Sequence, residues 1–376
     1  MTQPRIAIVY DRLNKFGGAE QVLLALRSAF PEAVLFTSVH EKTQTPWLGN
    51  WEVRTSFLQH IPFAKNHHEW FGWLMPLVFE SLDLSSFDVV ISVTSEAAKG
   101  VLTTPHQLHI CYCLTPTRYL WSHTHEYGNG IFGWMKKYVF SKLRQWDFIA
   151  STRPDFFIPI SKHVEKRISK FYRRECAPVI YPPVQVTHSK NQHKEKVVSN
   201  TPDTLSLAPD PYFLVVSRLV PYKKIEIAIE ACMHSSKQLI VVGTGSDMAR
   251  LQQVAANTQY VSFVGFVSDT ELSTLYTHAT ALLCPQEEDF GIVSLEAQSY
   301  GLPVISYRNS GVAETIHENR TGLLFSAQTA ESLEKTMHEF EKKDWDKETI
   351  KKSVESFATQ RFVREFQQVV VRQKTS

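Results

Sequence analysis

The feature that most constrains the fold is a repeated alternation of short β-branched runs with helical patterns. In the first half, strand-like runs such as "RIAIVY" and "FDVVISV" alternate with amphipathic stretches such as "GGAEQVLLALRSAF". A second series, with "YFLVVS", "QLIVVG", "ALLCP" and "PVISY", begins at Pro211. Alternation of this kind predicts parallel strands joined by helical crossovers. The sequence therefore predicts an α/β protein with two Rossmann-like, doubly wound domains.

The domain boundaries follow from length and from one polar stretch. A chain of 376 residues exceeds what one hydrophobic core usually organises, which favours two domains, predicted over residues 1–183 and 211–355. Residues 184–210 are polar and proline-bounded, and are predicted to be a linker. Residues 356–376 are predicted to be a C-terminal helix that buries one face. Two such sheets facing one another would leave a cleft at their carboxyl edges, where ligands bind.

Cysteines and apolar stretches bear on the compartment in which the chain works. Five cysteines at irregular spacings suit a reducing cytosol better than a disulfide framework or a zinc site, and Cys111 and Cys113 alternate as buried strand residues do. The N-terminus does not resemble a signal peptide, because "RIAIVY" begins a strand almost at once. No apolar stretch approaches the roughly 20 residues needed to cross a bilayer. We therefore expect a cytoplasmic protein, and we expect no nucleic-acid partner.

One segment departs from the near-neutral charge of the whole chain. Residues 131–175 hold eleven Lys and Arg against four Asp and Glu, and the positive residues are mixed with bulky aromatic side chains. This pattern fits an anionic membrane surface. It equally fits a solvated helix whose aromatic stripe packs into the domain. Both interpretations stay open at this point.

Two glutamates flank a glycine turn in "CPQEEDFGIVSLEAQSYGLPVI". Glu288 and Glu296 lie eight positions apart, the first on a loop after the predicted strand "ALLCP" and the second in the first turns of a predicted helix. The N–H groups of residues 290–293 would be unpaired at that helix start, where they can hold a phosphate or a sugar hydroxyl. A carboxylate accepts two hydrogen bonds from vicinal hydroxyls, which suits Glu288 to a hexose and Glu296 to a ribose. The plainer alternative is that these acids only compensate the helix dipole.

Two cations follow another predicted strand in "VVSRLVPYKK". Arg218 comes directly after the strand, and Lys223 lies five residues further on, at the start of the next helical pattern. A diphosphate leaving group needs neutralising charge, which Arg and Lys can supply. We found no Asp-x-Asp motif on a post-strand loop, so metal-free chemistry is the hypothesis. Two solvated loop cations are the alternative.

Glycine pairs follow two of the predicted strands. Gly17 and Gly18 stand immediately ahead of a helix, and Gly243 and Gly245 follow a later strand in "VVGTGSD". Such glycines let a backbone approach a phosphate closely. Neither pair completes the G-x-G-x-x-G fingerprint: after Gly243 and Gly245, Met248 occupies its last position. Tight strand-to-helix turns need glycine anyway.

Taken in order, these motifs resemble the retaining glycosyltransferases of the GT-B fold, family four. The segments "SRLVPYKK", "GTGSD", "FVGFVSD", "EEDFGIVSLEAQSYGLPVI" and "NSGVAETI" carry the resemblance in the second half. The first half is similar through "IVYDRLNKFGGAEQVL", "FDVVISVTSEAAKG", "YCLTPTRYLW" and "VIYPPV", which resemble bacterial mannosyltransferases of O-antigen and surface polysaccharide assembly. The resemblance implies two Rossmann-like domains facing a cleft, with C-terminal helices that return to the N-terminal domain.

The resemblance also implies residue roles. Arg218 and Lys223 would bind the donor diphosphate, Glu288 the transferred sugar and Glu296 the nucleotide ribose, while Phe266 would lie near the base. Arg218, Lys223 and Glu288 form the implied catalytic set, and the two glycines of "FGGAE" would approach the diphosphate from the opposite domain. The implied donor-site residues are Gly17, Gly18, Arg218, Lys223, Gly243, Phe266, Glu288, Phe290, Gly291, Ile292, Val293 and Glu296.

One position departs from the pattern of that branch. Leu114 stands in "CYCLTPTRY" where relatives usually carry a histidine associated with the active site. Leucine can neither transfer a proton nor hydrogen-bond a hydroxyl. The acceptor step needs less help here, or a histidine such as His123 or His125 substitutes, or the activity is altered. We keep Arg118 and His123 as acceptor-side candidates.

The motifs and the family resemblance together lead us to expect a metal-independent hexosyltransferase that needs no cofactor, and the resemblance implies that it retains anomeric configuration. The expected donor is a GDP- or UDP-linked sugar, with GDP-mannose leading, and the expected acceptor is a lipid-linked saccharide of surface polysaccharide or lipopolysaccharide O-antigen biosynthesis. The protein would work in the cytoplasm or peripherally on the inner face of the cytoplasmic membrane. Alternatives are a nucleotide-sugar epimerase of similar fold and a dinucleotide-dependent dehydrogenase. A third alternative, raised by Leu114, is a catalytically silent nucleotide-sugar-binding subunit.

Overall fold

The computed structural model describes residues 4–122, 133–184, 211–256 and 258–375. The chain forms two compact units. The first comprises Met1–Pro183 together with Thr359–Ser376, and the second comprises Val184–Ala358. Residues 185–210, most of the predicted linker, lie outside the described residues.

The first unit is built on one parallel sheet. Its strands are β1 (Ile6–Tyr10), β2 (Val34–Thr37), β3 (Val53–Thr55), β4 (Val89–Thr94), β5 (Leu108–Cys113) and β6 (Phe156–Pro159). They are ordered β3-β2-β1-β4-β5-β6, the order of a dinucleotide-binding Rossmann sheet. Its helices up to residue 172 are α1 (Gly18–Ala29), α2 (Met75–Glu80), α3 (Arg118–Trp121), α4 (Gly133–Ala150) and α5 (Lys162–Tyr172).

The second unit repeats this architecture. Its strands are β7 (Tyr212–Val216), β8 (Gln238–Val242), β9 (Val261–Gly265), β10 (Ala281–Cys284), β11 (Val304–Tyr307) and β12 (Gly322–Phe325). The order β12-β11-β10-β7-β8-β9 is the same Rossmann order counted from β7. Its helices are α6 (Ile225–His234), α7 (Met248–Val254), α8 (Asp269–His278), α9 (Ile292–Ser299), α10 (Ala330–Phe340) and α11 (Lys347–Ser353). The prediction of two doubly wound α/β domains is confirmed.

Burial explains why the central strands read as continuous apolar runs. Every residue of β1 and of β4 is buried, because helices cover both faces of a parallel sheet. Cys111 and Cys113 lie buried in β5, as predicted, and all five cysteines are free thiols. None of the helices in the described part of the chain is both long and apolar enough to span a bilayer.

The last helix, α12 (Thr359–Thr375), belongs to the first unit. Phe362 and Phe366 are fully buried and pack edge-on against Tyr112 of β5, with ring centroids 5.6 and 5.7 Å away. The Gln367 side chain donates a hydrogen bond of 2.8 Å to the Ala29 carbonyl at the end of α1. The return of a C-terminal helix to the N-terminal domain is therefore confirmed for α12, whereas α10 and α11 stay in the second unit.

Some boundaries differ from the prediction. The apolar pattern "SVESFATQRFV" is periodic throughout, yet α12 begins only at Thr359, because Ala358 is extended and forms a parallel bridge with Val184. The short edge strands β3 and β12 were not predicted as separate strands. With three residues, β3 is too short to show a reliable period.

Both sheets have a topological switch point, where the strand order reverses. It lies between β1 and β4 in the first unit and between β7 and β10 in the second. Because ligands of open α/β sheets bind at the carboxyl edge at such a point, the loops after these four strands are where a site is expected.

Candidate functional site

A lysine–glutamate ion pair spans the switch point of the second sheet. Lys223 lies on a 3-10 turn, Pro221–Lys223, after β7, and Glu288 lies on the loop after β10. The Lys223 ammonium donates to Glu288 Oε1. Their side chains are only 11% and 17% exposed, so the pair is mostly removed from water but still open on one side. Each charge depends on the other, because an unpaired charge in this position is costly.

Further groups hold Glu288 in place. Gln286 donates from Nε2 to Glu288 Oε1 at 3.2 Å, and the Glu288 N–H donates to Ser310 Oγ at 3.0 Å. The Gly311 N–H donates to the Glu288 carbonyl at 2.8 Å. Among the described residues none hydrogen-bonds to Glu288 Oε2. One oxygen is thus fixed by the protein and the other is left for a ligand.

Arg218 joins this group through Tyr222. Arg218 is exposed and donates from Nη2 to the Tyr222 hydroxyl at 2.7 Å. The Lys223 Nζ lies 5.6 Å from the centroid of the Tyr222 ring, a cation–π distance. The structure therefore brings Arg218, Lys223 and Glu288 together. Tyr222 was missed by the sequence argument, although its position between the two cations is visible in "SRLVPYKK".

The loop that carries Arg218 packs tightly against the glycine turn after β8. Gly243 has φ +127°, and a Cβ placed there would lie 1.9 Å from the Ser217 carbonyl oxygen. A Cβ on Gly245 would lie 2.1 Å from the Leu219 carbonyl oxygen. The Leu219 N–H donates to the Thr244 carbonyl at 2.9 Å. These glycines are required by the approach of two protein backbones, which is a structural role that positions Arg218.

Helix α9 begins beside the ion pair with its first turn uncapped by any side chain. Gly291 is the N-cap residue, with φ +86°, and makes no side-chain hydrogen bond to the helix. Ile292 and Val293 are the first two residues of the helix, so their N–H groups have no intrahelical acceptor. Both residues are half-buried. Phe290 turns its ring into the core, 5.9 Å from that of Phe357. An uncapped helix N-terminus next to a lysine favours an anion.

Glu296 lies one turn into α9 and is half-buried. Burial raises the pKa of its carboxyl group, and the negative charge of Asp269 raises that pKa further. Among the described residues none donates a hydrogen bond to the Glu296 carboxylate. Phe266 follows β9 and is 83% exposed, an unusual position for a large aromatic ring. Both side chains are thus available to a ligand.

The candidates in the first unit lie on its own carboxyl edge. Gly17 caps α1, which begins at Gly18, and Arg118 opens α3. Leu114 directly follows β5 and is half-buried, its N–H donating to the Thr94 carbonyl at 2.8 Å. His123 and His125 lie outside the described residues. The predicted approach of the two glycines to a diphosphate stays a prediction.

An ion pair at the switch point of the first sheet was missed. Arg12, after β1, donates from Nη1 to Glu96 Oε1, after β4, at 2.6 Å, with side chains 16% and 24% exposed. Two buried atoms beside it, Arg12 Nε and Asn14 Oδ1, have no hydrogen-bond partner in the described ranges. His68 is hydrogen-bonded to Asn14 Nδ2 at 3.3 Å, and burial with the nearby Arg12 charge lowers the pKa of its ring to about 4. Unpaired buried groups of this kind mark a place for a polar ligand or water.

A second buried pair in the first unit has no open side. Lys99 and Asp147 are each 1% exposed, and Lys99 Nζ donates to Asp147 Oδ1 at 2.5 Å. Asp147 also accepts from Thr117 Oγ1, Trp121 Nε1 and the Tyr172 hydroxyl, at 2.7 to 2.9 Å. Its carboxylate is saturated by protein donors, so this network fixes the loops after β4 and β5.

The basic segment forms α4, β6 and the whole of α5, and residues 131 and 132 lie outside the described residues. The inner side of α4 packs into the unit, where Trp146 Nε1 donates to Glu80 Oε1 at 2.8 Å. Its outer side exposes Lys137, Tyr138, Lys142, Phe148 and Ile149. Lys142 lies over the Tyr138 ring at 5.7 Å. The packing of its inner side agrees with the second interpretation, and contact of its outer side with a membrane stays a prediction.

The described ranges contain no group of three or more His, Cys, Asp and Glu side chains placed to hold a metal ion.

Comparison with known proteins assigns the second unit. Residues 200–356 match the family described as "Glycosyl transferases group 1". The match covers less than half of the chain, and its class is the one that the motifs of the second half resemble.

Curated relatives align over part of the chain. A GDP-mannose-dependent alpha-(1-6)-phosphatidylinositol monomannoside mannosyltransferase of Mycobacterium tuberculosis is 29% identical over 143 residues. That match covers 34% of this chain and 37% of the relative, so it spans little more than a third of the relative's length.

Solved structures align over almost the whole chain. The lipopolysaccharide outer core galactosyltransferase WaaB has a TM-score of 0.66 at 19% identity, covering 98% of this chain and 99% of WaaB. Anabaena Alr3699/HepE, solved with UDP and glucose, has a TM-score of 0.68 at 18% identity, covering 100% of both chains. At such identities the likeness defines the fold, that of the GT-B glycosyltransferases.

We predict that Gly243→Ala destabilises the protein by about 2–3 kcal/mol, because its Cβ would overlap the Ser217 carbonyl and positive φ disfavours alanine. Thermal denaturation followed by circular dichroism measures this. Gly17→Ala is the matched control, since Gly17 is extended and its nearest foreign atom would be 3.4 Å away. Equal midpoints for the two variants would contradict the close approach described here.

Proposed function

We propose that this protein is a retaining glycosyltransferase that moves a hexose from a nucleotide sugar to a lipid-linked saccharide. The observation that carries the proposal is the Lys223–Glu288 pair at the switch point of the second sheet, beside the uncapped start of α9. The Lys223 ammonium, the N-terminus of α9 and the Glu288 carboxylate, with one oxygen free of protein donors, together suit a sugar diphosphate. The ammonium and the helix N-terminus bind phosphate, and the carboxylate accepts hydrogen bonds from sugar hydroxyls.

In the proposed mechanism, positive charge stabilises the leaving diphosphate. The Lys223 ammonium has three donors, so it can keep Glu288 Oε1 and still donate to a phosphate oxygen. Arg218, held by Tyr222, adds a second cation from the exposed side of the same loop. Charge developing on the departing phosphate oxygens is met by groups already oriented, which lowers the barrier. This arrangement supports leaving-group departure without a metal ion.

Glu288 and Glu296 are assigned to hydroxyl groups. Glu288 Oε2 would accept from the transferred hexose, since the protein already holds Oε1. Glu296 would accept from the ribose, and the exposed Phe266 ring would stack on the base. We propose retention of anomeric configuration by a same-face substitution, in which the leaving phosphate helps to deprotonate the acceptor.

The leading donor is GDP-mannose, with a UDP-sugar as the alternative. The mycobacterial relative is named as GDP-mannose-dependent, which supports the first. The Anabaena structure was solved with UDP and glucose, which supports the second. The side chain at Phe266 offers a face to either base.

We assign the acceptor to the first unit. The Arg12–Glu96 pair, with its unpaired neighbouring atoms, is a polar site that suits saccharide hydroxyls, and Arg118 and His123 remain the acceptor-side candidates from the sequence. The likeness to WaaB supports a role in lipopolysaccharide or related surface glycans, O-antigen included. The outer side of α4 would rest on the anionic inner face of the cytoplasmic membrane.

One observation favours a second candidate function. Leu114 brings no proton donor or acceptor to the edge of the first sheet. A nucleotide-sugar-binding subunit without transferase activity would tolerate this residue. Donor binding with no transfer and no hydrolysis would support that alternative.

We predict that Glu288→Ala and Lys223→Ala each lower transfer at least about 10²-fold, because each removes a group that acts on the reacting sugar or leaving phosphate. Purified protein is first screened against GDP- and UDP-sugars by thermal shift, and product release is then measured with a saccharide acceptor. Glu287→Ala, which removes the exposed neighbouring acid, is the control.

Wild-type rates in either Glu288→Ala or Lys223→Ala, with the fold intact by circular dichroism, would refute the assignment. Silence of the wild type across the donor panel would refute the proposed function. Product formed from the donor without any acceptor would favour an epimerase instead, and an absorbance change with NADH would favour a dehydrogenase.

We predict that activity is unchanged after exhaustive treatment with EDTA, because Arg218 and Lys223 supply the positive charge at the leaving group. The measurement is the transfer rate before and after chelation and after readdition of Mg²⁺ or Mn²⁺. Loss of activity that a divalent ion restores would overturn the metal-independent mechanism.

We predict that the protein binds vesicles containing phosphatidylglycerol and that Lys137→Glu/Lys142→Glu weakens this binding at least about tenfold, since each basic residue near an anionic surface contributes about 1 kcal/mol. Flotation with the vesicles measures the bound fraction. The control with the same charge change is Lys335→Glu/Lys342→Glu, at exposed lysines of the second unit. Equal loss in both variants would argue against α4 as the contact.

A further inference from the structure

The Tyr276 hydroxyl is a buried polar group without a partner. Tyr276 lies on α8, its side chain is 3% exposed, and its hydroxyl makes no hydrogen bond to any described residue. Leaving a buried donor unpaired is unfavourable, and native structures contain few such groups. The hydroxyl therefore calls for an explanation outside the folding of the free protein.

Tyr276 packs beside the end of the helix that carries Glu296. The Tyr276 ring stacks on that of Tyr300, with centroids 5.6 Å apart and planes 28° apart. Tyr300 caps the C-terminal end of α9, four residues after Glu296, so Glu296 lies about one turn before it. Helices α8 and α9 both begin at the carboxyl edge of the sheet, and long helical side chains lean towards the helix N-terminus. That lean would bring the Tyr276 hydroxyl from its place beside Tyr300 towards the level of Glu296.

The charges agree with this geometry. The pKa of Tyr276 is raised above its ordinary value first by burial and next by the negative charge of Glu296. Glu296 itself has no hydrogen-bond donor among the described residues. A half-buried carboxylate on α9 without a donor therefore influences a buried hydroxyl on α8 without an acceptor.

We propose that Tyr276 is a positioning residue for Glu296 in the nucleotide-bound state. Its hydroxyl donates to one oxygen of the Glu296 carboxylate, and the other oxygen accepts from the vicinal hydroxyls of the ribose. The Tyr276–Glu296 hydrogen bond forms only when the ribose is bound, because only then is the Glu296 carboxylate held in one orientation. This inference rests on the proposed function in one respect, the assignment of Glu296 to a ribose.

The consequence is discrimination by the sugar of the nucleotide. A carboxylate fixed by Tyr276 presents its free oxygen to the 2′ and 3′ hydroxyls together. A deoxyribose lacks one of them and gains less from the fixed orientation. Tyr276 thus contributes to the preference for ribonucleotides without touching the nucleotide.

The test is the affinity of GDP and UDP, and of dGDP and dUDP, measured by isothermal titration calorimetry. Tyr276→Phe is expected to weaken binding of the ribonucleotide about tenfold, the effect of a lost hydrogen bond to a charged group. The loss for the matching deoxyribonucleotide is expected to be clearly smaller. In a Glu296→Gln background, Tyr276→Phe is expected to add little, because its effect passes through the carboxylate.

Tyr300→Phe is the matched control. It keeps the aromatic stack and removes the hydroxyl of the half-buried Tyr300 instead of the buried Tyr276 hydroxyl. It should therefore leave the affinity for all four nucleotides unchanged. Tyr276→Phe should have a thermal midpoint at or above that of the wild type, because it removes an unsatisfied buried group. A lower midpoint with equal loss for ribo- and deoxyribonucleotides would show a packing role and overturn the inference.

The outcomes separate this inference from the proposed function. Wild-type binding of GDP or UDP that Tyr276→Phe leaves unchanged would overturn the inference alone. A loss in Tyr276→Phe that persists in the Glu296→Gln background would do the same. Failure of the wild type to bind either nucleotide would overturn the proposed function and this inference with it.

Discussion

The site depends on one interaction, the ion pair between Lys223 and Glu288 across the switch point of the second sheet. The strands β7 and β10 are neighbours although most of the domain's first half lies between them in sequence. Their loops therefore leave the sheet side by side, and a single salt bridge can tie them together. With both side chains mostly buried, neither charge can turn to solvent without leaving the other unpaired. The pair thus fixes where a ligand's phosphate and sugar can lie.

Backbone packing provides the rigidity that this pair needs. The turn at Gly243 and Gly245 lies so close to residues 217–219 that no side chain fits between them. The Gly311 N–H donates a hydrogen bond to the Glu288 carbonyl and so fixes the loop after β10. Hydrogen bonds between neighbouring loops replace the side-chain contacts that would otherwise be required. Glycine at these positions is a condition of the geometry, and a phosphate explanation is not needed for it.

The sequence predicts the fold well because periodicity and topology are both local properties. Strand and helix patterns reveal the two Rossmann-like series, and parallel strands imply that loops after them share an edge, which places Lys223 and Glu288 on one side. The pattern does not reveal partners that depend on tertiary contact. Tyr222, Gln286 and the Arg12–Glu96 pair were missed, since their roles arise from distances between separate loops. The start of α12 was misplaced because a bridge to Val184, a distant residue, overrides helical periodicity at Ala358.

Two lysine–carboxylate pairs in this chain show why burial alone does not identify a functional site. Lys99 and Asp147 are fully buried, and Asp147 accepts four hydrogen bonds from protein donors, so no lone pair remains for a ligand. Lys223 and Glu288 are less buried, and one carboxylate oxygen is left without a protein donor. Complete satisfaction favours a fixed structure, because any change leaves a buried group unpaired. Incomplete satisfaction leaves a polar atom that a ligand can pair with, and the same criterion singles out the Tyr276 hydroxyl on α8 and the Glu296 carboxylate on α9.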